Sequence, residues 1–248
     1  MKISKISFIF KSAPFPAIMT IISFVSFVVV YWFMTAKAIE PHFFKGLIFA
    51  IPFACFGITT FFTAIRKLTI PVSTVITSCL IFVLGFAMFF TLIFVAFQEA
   101  TTITTDVGKY ERVLKLPSYP SNQLIKYFPN KIPGSAKSIV FSYCPAFLQG
   151  GENFNLKFET DSASINKYSE EFSTKAKWTG TWSTNKTENT GIMTGTFSMI
   201  DYAVLPEDFT IYLIDSKPYE PNNWNHGYLS VVAVSKQKKQ IIFHTEQW

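Results

Sequence analysis

Ile70-Pro-Val-Ser-Thr-Val-Ile-Thr-Ser-Cys-Leu-Ile-Phe-Val-Leu-Gly-Phe-Ala-Met-Phe-Phe-Thr-Leu-Ile-Phe-Val-Ala-Phe97 runs for 28 residues without one charged side chain. An α-helix rises 1.5 Å per residue, so about 20 apolar residues cross the hydrocarbon core of a bilayer. This stretch is long enough to span with tilt. Two further apolar stretches precede it, at residues 15–34 and 43–65, and past Lys45 at the start of the second neither carries a charge. Beyond residue 97 there is no comparable stretch. Helices buried in the core of a water-soluble protein are a poor alternative, because three such segments without an interior charge exceed what one core needs. The chain is therefore expected to hold three transmembrane helices in residues 1–98. Residues 99–248 are expected to form a polar domain.

The first stretch also has the basic start of a secretory signal, with Lys2, Lys5 and Lys11. It is longer than a signal core and no small-x-small cleavage site follows. Tyr31, Trp32 and Phe33 stand where an aromatic interface belt is expected. It reads as a retained helix. Positive charge in the short flanks sets orientation. Lys2, Lys5, Lys11, Arg66 and Lys67 lie on one side and Lys37 and Lys45 on the other. Five against two predicts a multi-pass plasma-membrane protein with its N-terminus cytoplasmic and its C-terminal domain extracytoplasmic.

The net charge of +6 invites a nucleic-acid reading. Residues 1–99 hold seven Lys and Arg against Glu40 and Glu99, whereas residues 100–248 hold fifteen against fourteen. The excess belongs to topology rather than to a basic binding surface, so no nucleic-acid partner is expected. Of the 28 Phe, 19 lie in residues 1–99, as a lipid-facing surface requires. Transport sites usually leave Asp, Glu, His, Lys or Arg inside the membrane. Here the polar groups are Ser and Thr, which pack or bond between helices. The helices read as an anchor, and Pro52 is expected to kink the second.

In the polar domain, Thr105 or Asp106 is a candidate cap for a short helix with Val107, Tyr110, Val113 and Leu114. Ser121 can open another turn carrying Leu124, Ile125 and Phe128. Alternation predicts strands at 138–143 and 154–158, joined by the Gln149-Gly150-Gly151 turn as an antiparallel hairpin. Asp161 or Ser162 caps a helix with the stripe Ile165, Tyr168, Phe172. Further strands are predicted at 177–183, 192–200, 209–214, 228–235 and 240–245, the last two joined by Lys236–Lys239. The sum is about seven strands with two or three helices. The fold class is three transmembrane helices plus an α+β domain with a mainly antiparallel sheet.

The sharpest residues for function lie in Asn222-Asn-Trp-Asn-His-Gly227, a loop feeding a strand. Trp224, Asn225 and His226 are the ligand or loop-organising candidates. His226 has the chemistry of a base or a ligand, but the commoner use of such a group is to fix its loop while Trp224 packs on the sheet edge. No catalytic residue can be assigned. There is no Gly-x-Ser-x-Gly elbow, Cys144 lacks a spaced partner, and Glu170-Glu171 and Glu207-Asp208 read as solvated pairs. No metal-ligand spacing occurs and no cofactor is implied. Trp178 and Trp182, four apart on a predicted strand, share a face suited to core packing or to a glycan.

The stretch Trp224-Asn-His-Gly-Tyr-Leu-Ser-Val-Val-Ala-Val-Ser235, the run Ile241-Ile-Phe-His-Thr-Glu-Gln-Trp248 and Phe147-Leu-Gln-Gly-Gly151 resemble a group of membrane-anchored proteins of Gram-positive bacteria. The resemblance covers residues 105–248. It implies a bacterial cell-envelope location and carries no activity. The expected function is a cell-envelope binding, sensing or accessory module, with the lipid bilayer and another envelope protein or a cell-wall component as partners. The alternatives are an envelope hydrolase centred on His226 and a subunit of a membrane complex.

Overall fold

A computed structural model describes residues 5–116, 119–147, 151–185, 190–217 and 227–248. The chain divides into two compact units, Met1–Glu99 and Ala100–Trp248.

The first unit is built from α1 (Lys5–Ser12), α2 (Pro14–Trp32), α3 (Phe43–Leu47), α4 (Ile51–Ala64) and α5 (Ile70–Thr101). Three helical stretches, Pro14–Lys37, Phe43–Ala64 and Ile70–Thr101, are long and apolar enough to cross a membrane. Their burial pattern is inverted relative to a protein in water. Phe44, Phe82 and Phe94 are 88%, 79% and 68% exposed, while Ser73 and Thr77 are fully buried. Water would penalise such a surface, whereas hydrocarbon favours it and drives hydroxyls inward to internal partners. Thr59, Thr63 and Thr77 donate to the carbonyls of Cys55, Thr59 and Ser73, and the Thr20 and Thr60 hydroxyls meet between α2 and α4 at 3.0 Å. These are the features of a membrane-spanning region.

Pro52 does not bend a continuous helix. A 3₁₀ turn, Ile48–Ala50, separates α3 from α4, and Pro52 sits in the first turn of α4. There its missing N–H costs nothing. The third helix also runs further than the apolar pattern, through Thr101. Glu99 explains the extension, since its carboxylate accepts from the Ile39 N–H at 2.9 Å and meets His42 Nε2 at 2.7 Å. A charge expected in the polar domain instead fastens the loop between the first two spans.

The second unit holds α6 (Tyr110–Lys115), β1 (Lys137–Cys144), β2 (Asn153–Glu159), α7 (Ser162–Lys175), β3 (Trp178–Gly180), α8 (Trp182–Asn185), β4 (Phe209–Lys217), β5 (Tyr228–Ser235) and β6 (Gln240–Gln247). All strand pairs are antiparallel in one six-stranded sheet of order β1-β2-β6-β5-β4-β3. Alternation assigns the faces. One face carries Phe141, Phe154, Leu156, Phe158, Phe243, Val232 and Tyr212, covered by Ile165 and Phe172 of α7, Tyr110 and Val113 of α6, and Phe128. Rings here meet edge to face, as Phe128 does with Phe154 at 4.9 Å. Asp161 caps α7 by accepting from the Ser164 N–H at 2.9 Å.

The opposite face carries Phe209, Ile211, Leu213, Leu229, Val231, Ala233 and Ile242 beneath Trp182, Ile192, Phe197, Ile200 and Leu205. Here two strand expectations fail. Residues 192–200 form turns and a 3₁₀ segment, because Gly191, Gly195 and Asp201 adopt positive φ and fold the segment back. The strand at 177–183 stops at Gly180, where the Thr184 hydroxyl accepts from the Thr181 N–H and starts α8. Trp178 and Trp182 therefore do not share a strand face. Both belong to this core, which removes the glycan-stacking reading for the pair.

Candidate functional site

Trp224, Asn225 and His226 lie outside the described residues, so their side chains have no structural account here. Their anchor points are defined. Lys217 of β4 pairs with Tyr228 of β5, and Gly227 exchanges two backbone hydrogen bonds with Trp248, at 3.2 and 3.1 Å. The candidate loop thus joins one end of the sheet. A Cβ on Gly227 would lie 2.1 Å from the Trp248 indole, so only glycine admits that ring.

The same end gathers polar groups on the helix-covered face. A register shift between Leu213 and Asp215 turns Asp215 opposite Ser230. Asp215 then lines a groove of about 470 Å³ with Gln123, Leu124, Gly227, Tyr228, Gln247 and Trp248. Leu124 is fixed there because its carbonyl accepts from the Ser230 hydroxyl at 3.0 Å and its N–H bonds Asn122. Lys177 stands beside the groove, 2.5 Å from Asp215, and that hydrogen bond holds its ammonium above its ordinary titration range. Carboxylate, amides and phenol together suit a ligand that offers hydroxyls or amides and an apolar ring face.

At the same end, the hydroxyl of Tyr143 on β1 donates to Glu152, the residue before β2, at 3.0 Å. Burial pushes the Glu152 carboxyl up, and the Tyr143 bond opposes the shift without cancelling it. Burial also raises the Tyr143 phenol, with the Glu152 charge adding to it. Glu152 is tied to the groove strand because its carbonyl accepts from the Gln247 N–H at 2.8 Å. A Cβ on Gly151 would lie 1.4 Å from the Gln247 carbonyl oxygen, so the chain passes against β6 with no room for a side chain.

The other face hides a polar row. Asn155 and His244 are fully buried, and His244 Nδ1 lies 2.6 Å from Asn155 Oδ1. Asn155 in turn bonds Asn153. His244 Nε2 has no hydrogen-bond partner, with Glu246 Oε2 at 3.7 Å and the Phe197 ring packed on the imidazole. Lys157, also buried, donates to the Ile200 carbonyl at 2.8 Å and to Asp201 at 2.7 Å. These bonds hold the covering segment to the sheet, which is a structural use of polar groups.

The remaining sequence candidates separate. Glu171 pairs with Lys175 one helical turn away. Glu207 accepts from Ser183, while Asp208 faces Ser235 and Lys238. Cys144 is half-buried and its thiol lies 3.9 Å from the Pro145 carbonyl. Among the described residues no three His, Cys, Asp or Glu side chains come together as metal ligands. Sequence reading missed Asp215, Tyr228 and Gln247. Their only signal was position at the strand ends flanking the loop. No family model matches the chain, and no curated protein or solved structure is significantly similar to it.

Proposed function

We propose that this is a bacterial plasma-membrane protein whose three helices anchor an extracytoplasmic binding, sensing or accessory module. The N-terminus is cytoplasmic in this reading, supported by five basic residues on one side of the spans against two on the other. The resemblance of residues 105–248 to membrane-anchored proteins of Gram-positive bacteria supports the envelope location. The observation that carries the binding role is the groove of about 470 Å³ at the loop end of the sheet, where Asp215, Tyr228, Gln123 and Gln247 converge. The ligand is a cell-wall component presenting hydroxyls or amides. Its test is co-sedimentation of the full-length protein, in mild detergent, with purified cell walls. Wild type sediments with the wall, and Tyr228→Ala together with Gln247→Ala releases it while the melting temperature is held. Equal sedimentation of both proteins, or none by wild type, overturns the proposal.

A further inference from the structure

Four side chains on the sheet face beneath Phe197 form a ring that is open at one place. Asn153 and Asn155 of β2 stand opposite Glu246 and His244 of β6, so alternation brings all four to one face. Their hydrogen bonds run in one direction. His244 Nδ1 meets Asn155 Oδ1 at 2.6 Å, Asn155 Nδ2 donates to Asn153 Oδ1, and Asn153 Nδ2 donates to Glu246 Oε2 at 3.5 Å. An amide oxygen only accepts, which assigns the imidazole proton to Nδ1 and leaves Nε2 a bare acceptor. Nε2 has no hydrogen-bond partner and faces the same Glu246 Oε2 at 3.7 Å. Two acceptors meet where the ring is open.

Water, a metal ion and a proton compete for this gap. A water bonded to both atoms at about 2.8 Å holds them roughly 4.5 Å apart, wider than the gap. His244 is also fully buried, with the Phe197 ring centred 5.2 Å away. A metal ion takes three or four ligands, and among the described residues no third His, Cys, Asp or Glu joins this pair. A proton needs only the two atoms present. It balances the Glu246 charge, and it can enter through Glu246, whose side chain is 19% exposed. The other groups facing His244 do not compete. Lys157 of β2 is held by Asp201 at 2.7 Å and by the Ile200 carbonyl at 2.8 Å. The neighbouring β5 presents Val231 opposite His244, flanked by Leu229 and Ala233. On β1, beyond β2, stand Ser142 and Cys144.

We infer that His244 and Glu246 form a proton-operated switch, in which acid places one proton between Nε2 and Oε2 and Glu246 exchanges its long bond to Asn153 for a short one to His244. The proton comes from solvent and no covalent bond between heavy atoms changes. The ring then closes across β2 and β6, at the end of the sheet that carries Gln247. The test is the full chain in mild detergent, labelled with ¹⁵N at His and Asn and followed by nuclear magnetic resonance from about pH 8 to about pH 5, the range in which an imidazole changes charge. The His244 signals are those lost in His244→Phe or, should that variant misfold, those kept when His42→Gln and His226→Gln are combined. At the alkaline end Nδ1 carries the proton and Nε2 is bare. On acidification Nε2 gains a proton, and the Asn153 side-chain amide shifts with the same midpoint. Glu246→Gln leaves Nε2 bare over the whole range, because the charge that shares the proton is gone. Glu171→Gln, which removes an exposed carboxylate paired with Lys175 on α7, titrates as wild type does. A bare Nε2 in wild type throughout, a proton on Nε2 rather than Nδ1 at the alkaline end, an Asn153 signal that ignores the titration, or the same titration in Glu246→Gln overturns the inference.

Discussion

Gly151 gives the sharpest quantitative test of how the loop end of the sheet is built. Replacing it with alanine puts a Cβ 1.4 Å from the Gln247 oxygen, 2.5 Å from the Gln247 carbon and 3.1 Å from the Trp248 Cα. All three are backbone atoms, so no side-chain rotation relieves the clash. The chain at Gly151 must retreat from β6, and the hydrogen bond from the Gln247 N–H to the Glu152 carbonyl, 2.8 Å in the native protein, is stretched or lost. Overpacking of this kind costs roughly 1–3 kcal/mol, and a lost backbone bond about 1 kcal/mol more. The sum, about 2–4 kcal/mol, lowers the melting temperature by roughly 5–15 °C for a unit of this size. The assay is thermal unfolding of the full chain in detergent, followed by tryptophan fluorescence. Gly134→Ala is the internal control, because a Cβ there meets nothing within 4 Å, and it shifts stability by no more than about 0.5 kcal/mol. Equal melting of Gly151→Ala and Gly134→Ala would refute the close passage against β6.

Three further outcomes follow from the same region. Glu152 titrates above its ordinary value of 4.5 because it is buried, so the folded state holds its proton longer than the unfolded state. The stability tied to this group is full below the unfolded value and is lost as pH rises through the folded one. Glu152→Gln keeps an acceptor for Tyr143 and removes that loss. Its melting temperature gains on wild type at about pH 7 and not at about pH 4, and a gain independent of pH contradicts the assignment. Asn155→Ala strips the buried His244 imidazole of its Nδ1 partner and costs about 1–3 kcal/mol. Adding His244→Phe to it recovers part of the loss in a double-mutant cycle on thermal melts, and strict additivity would argue against the pair. Phe154→Ala empties the centre of the aromatic cluster formed with Tyr110, Phe128, Phe141 and Tyr143, at a cost of about 3–5 kcal/mol in denaturant unfolding.

Much of this architecture was legible because it rests on strong periodicities. The spans are read from length and the absence of charge, and α7 from its stripe and the Asp161 cap. The hairpin of β5 and β6 is read from the charged turn Lys236–Lys239 between two strand-like segments. The segment 192–200 was misread because Ile192, Phe197 and Ile200 look like strand positions, while the deciding features are glycines at positive φ and local hydrogen bonds such as Met193 N–H to Thr196 Oγ1. Glu99 was assigned to the polar domain because its partners, Ile39 and His42, stand about 60 residues earlier and leave no local trace. The groove was hidden for a similar reason. Asp215, Tyr228 and Gln247 come from three strands, and a bulge sets the side on which Asp215 points.

The central claim is that three spans deliver Ala100–Trp248 to the side of the membrane opposite the N-terminus. Labelling of single cysteines by a membrane-impermeant maleimide tests it most directly. Cys55, Cys79 and Cys144 are first replaced by serine, and reporters are then placed singly at Lys238, on the tip between β5 and β6, and at Arg66, between the second and third spans. The account predicts labelling of Lys238→Cys in intact cells and of Arg66→Cys only after lysis. Labelling of Arg66→Cys in intact cells with Lys238→Cys protected until lysis would contradict it.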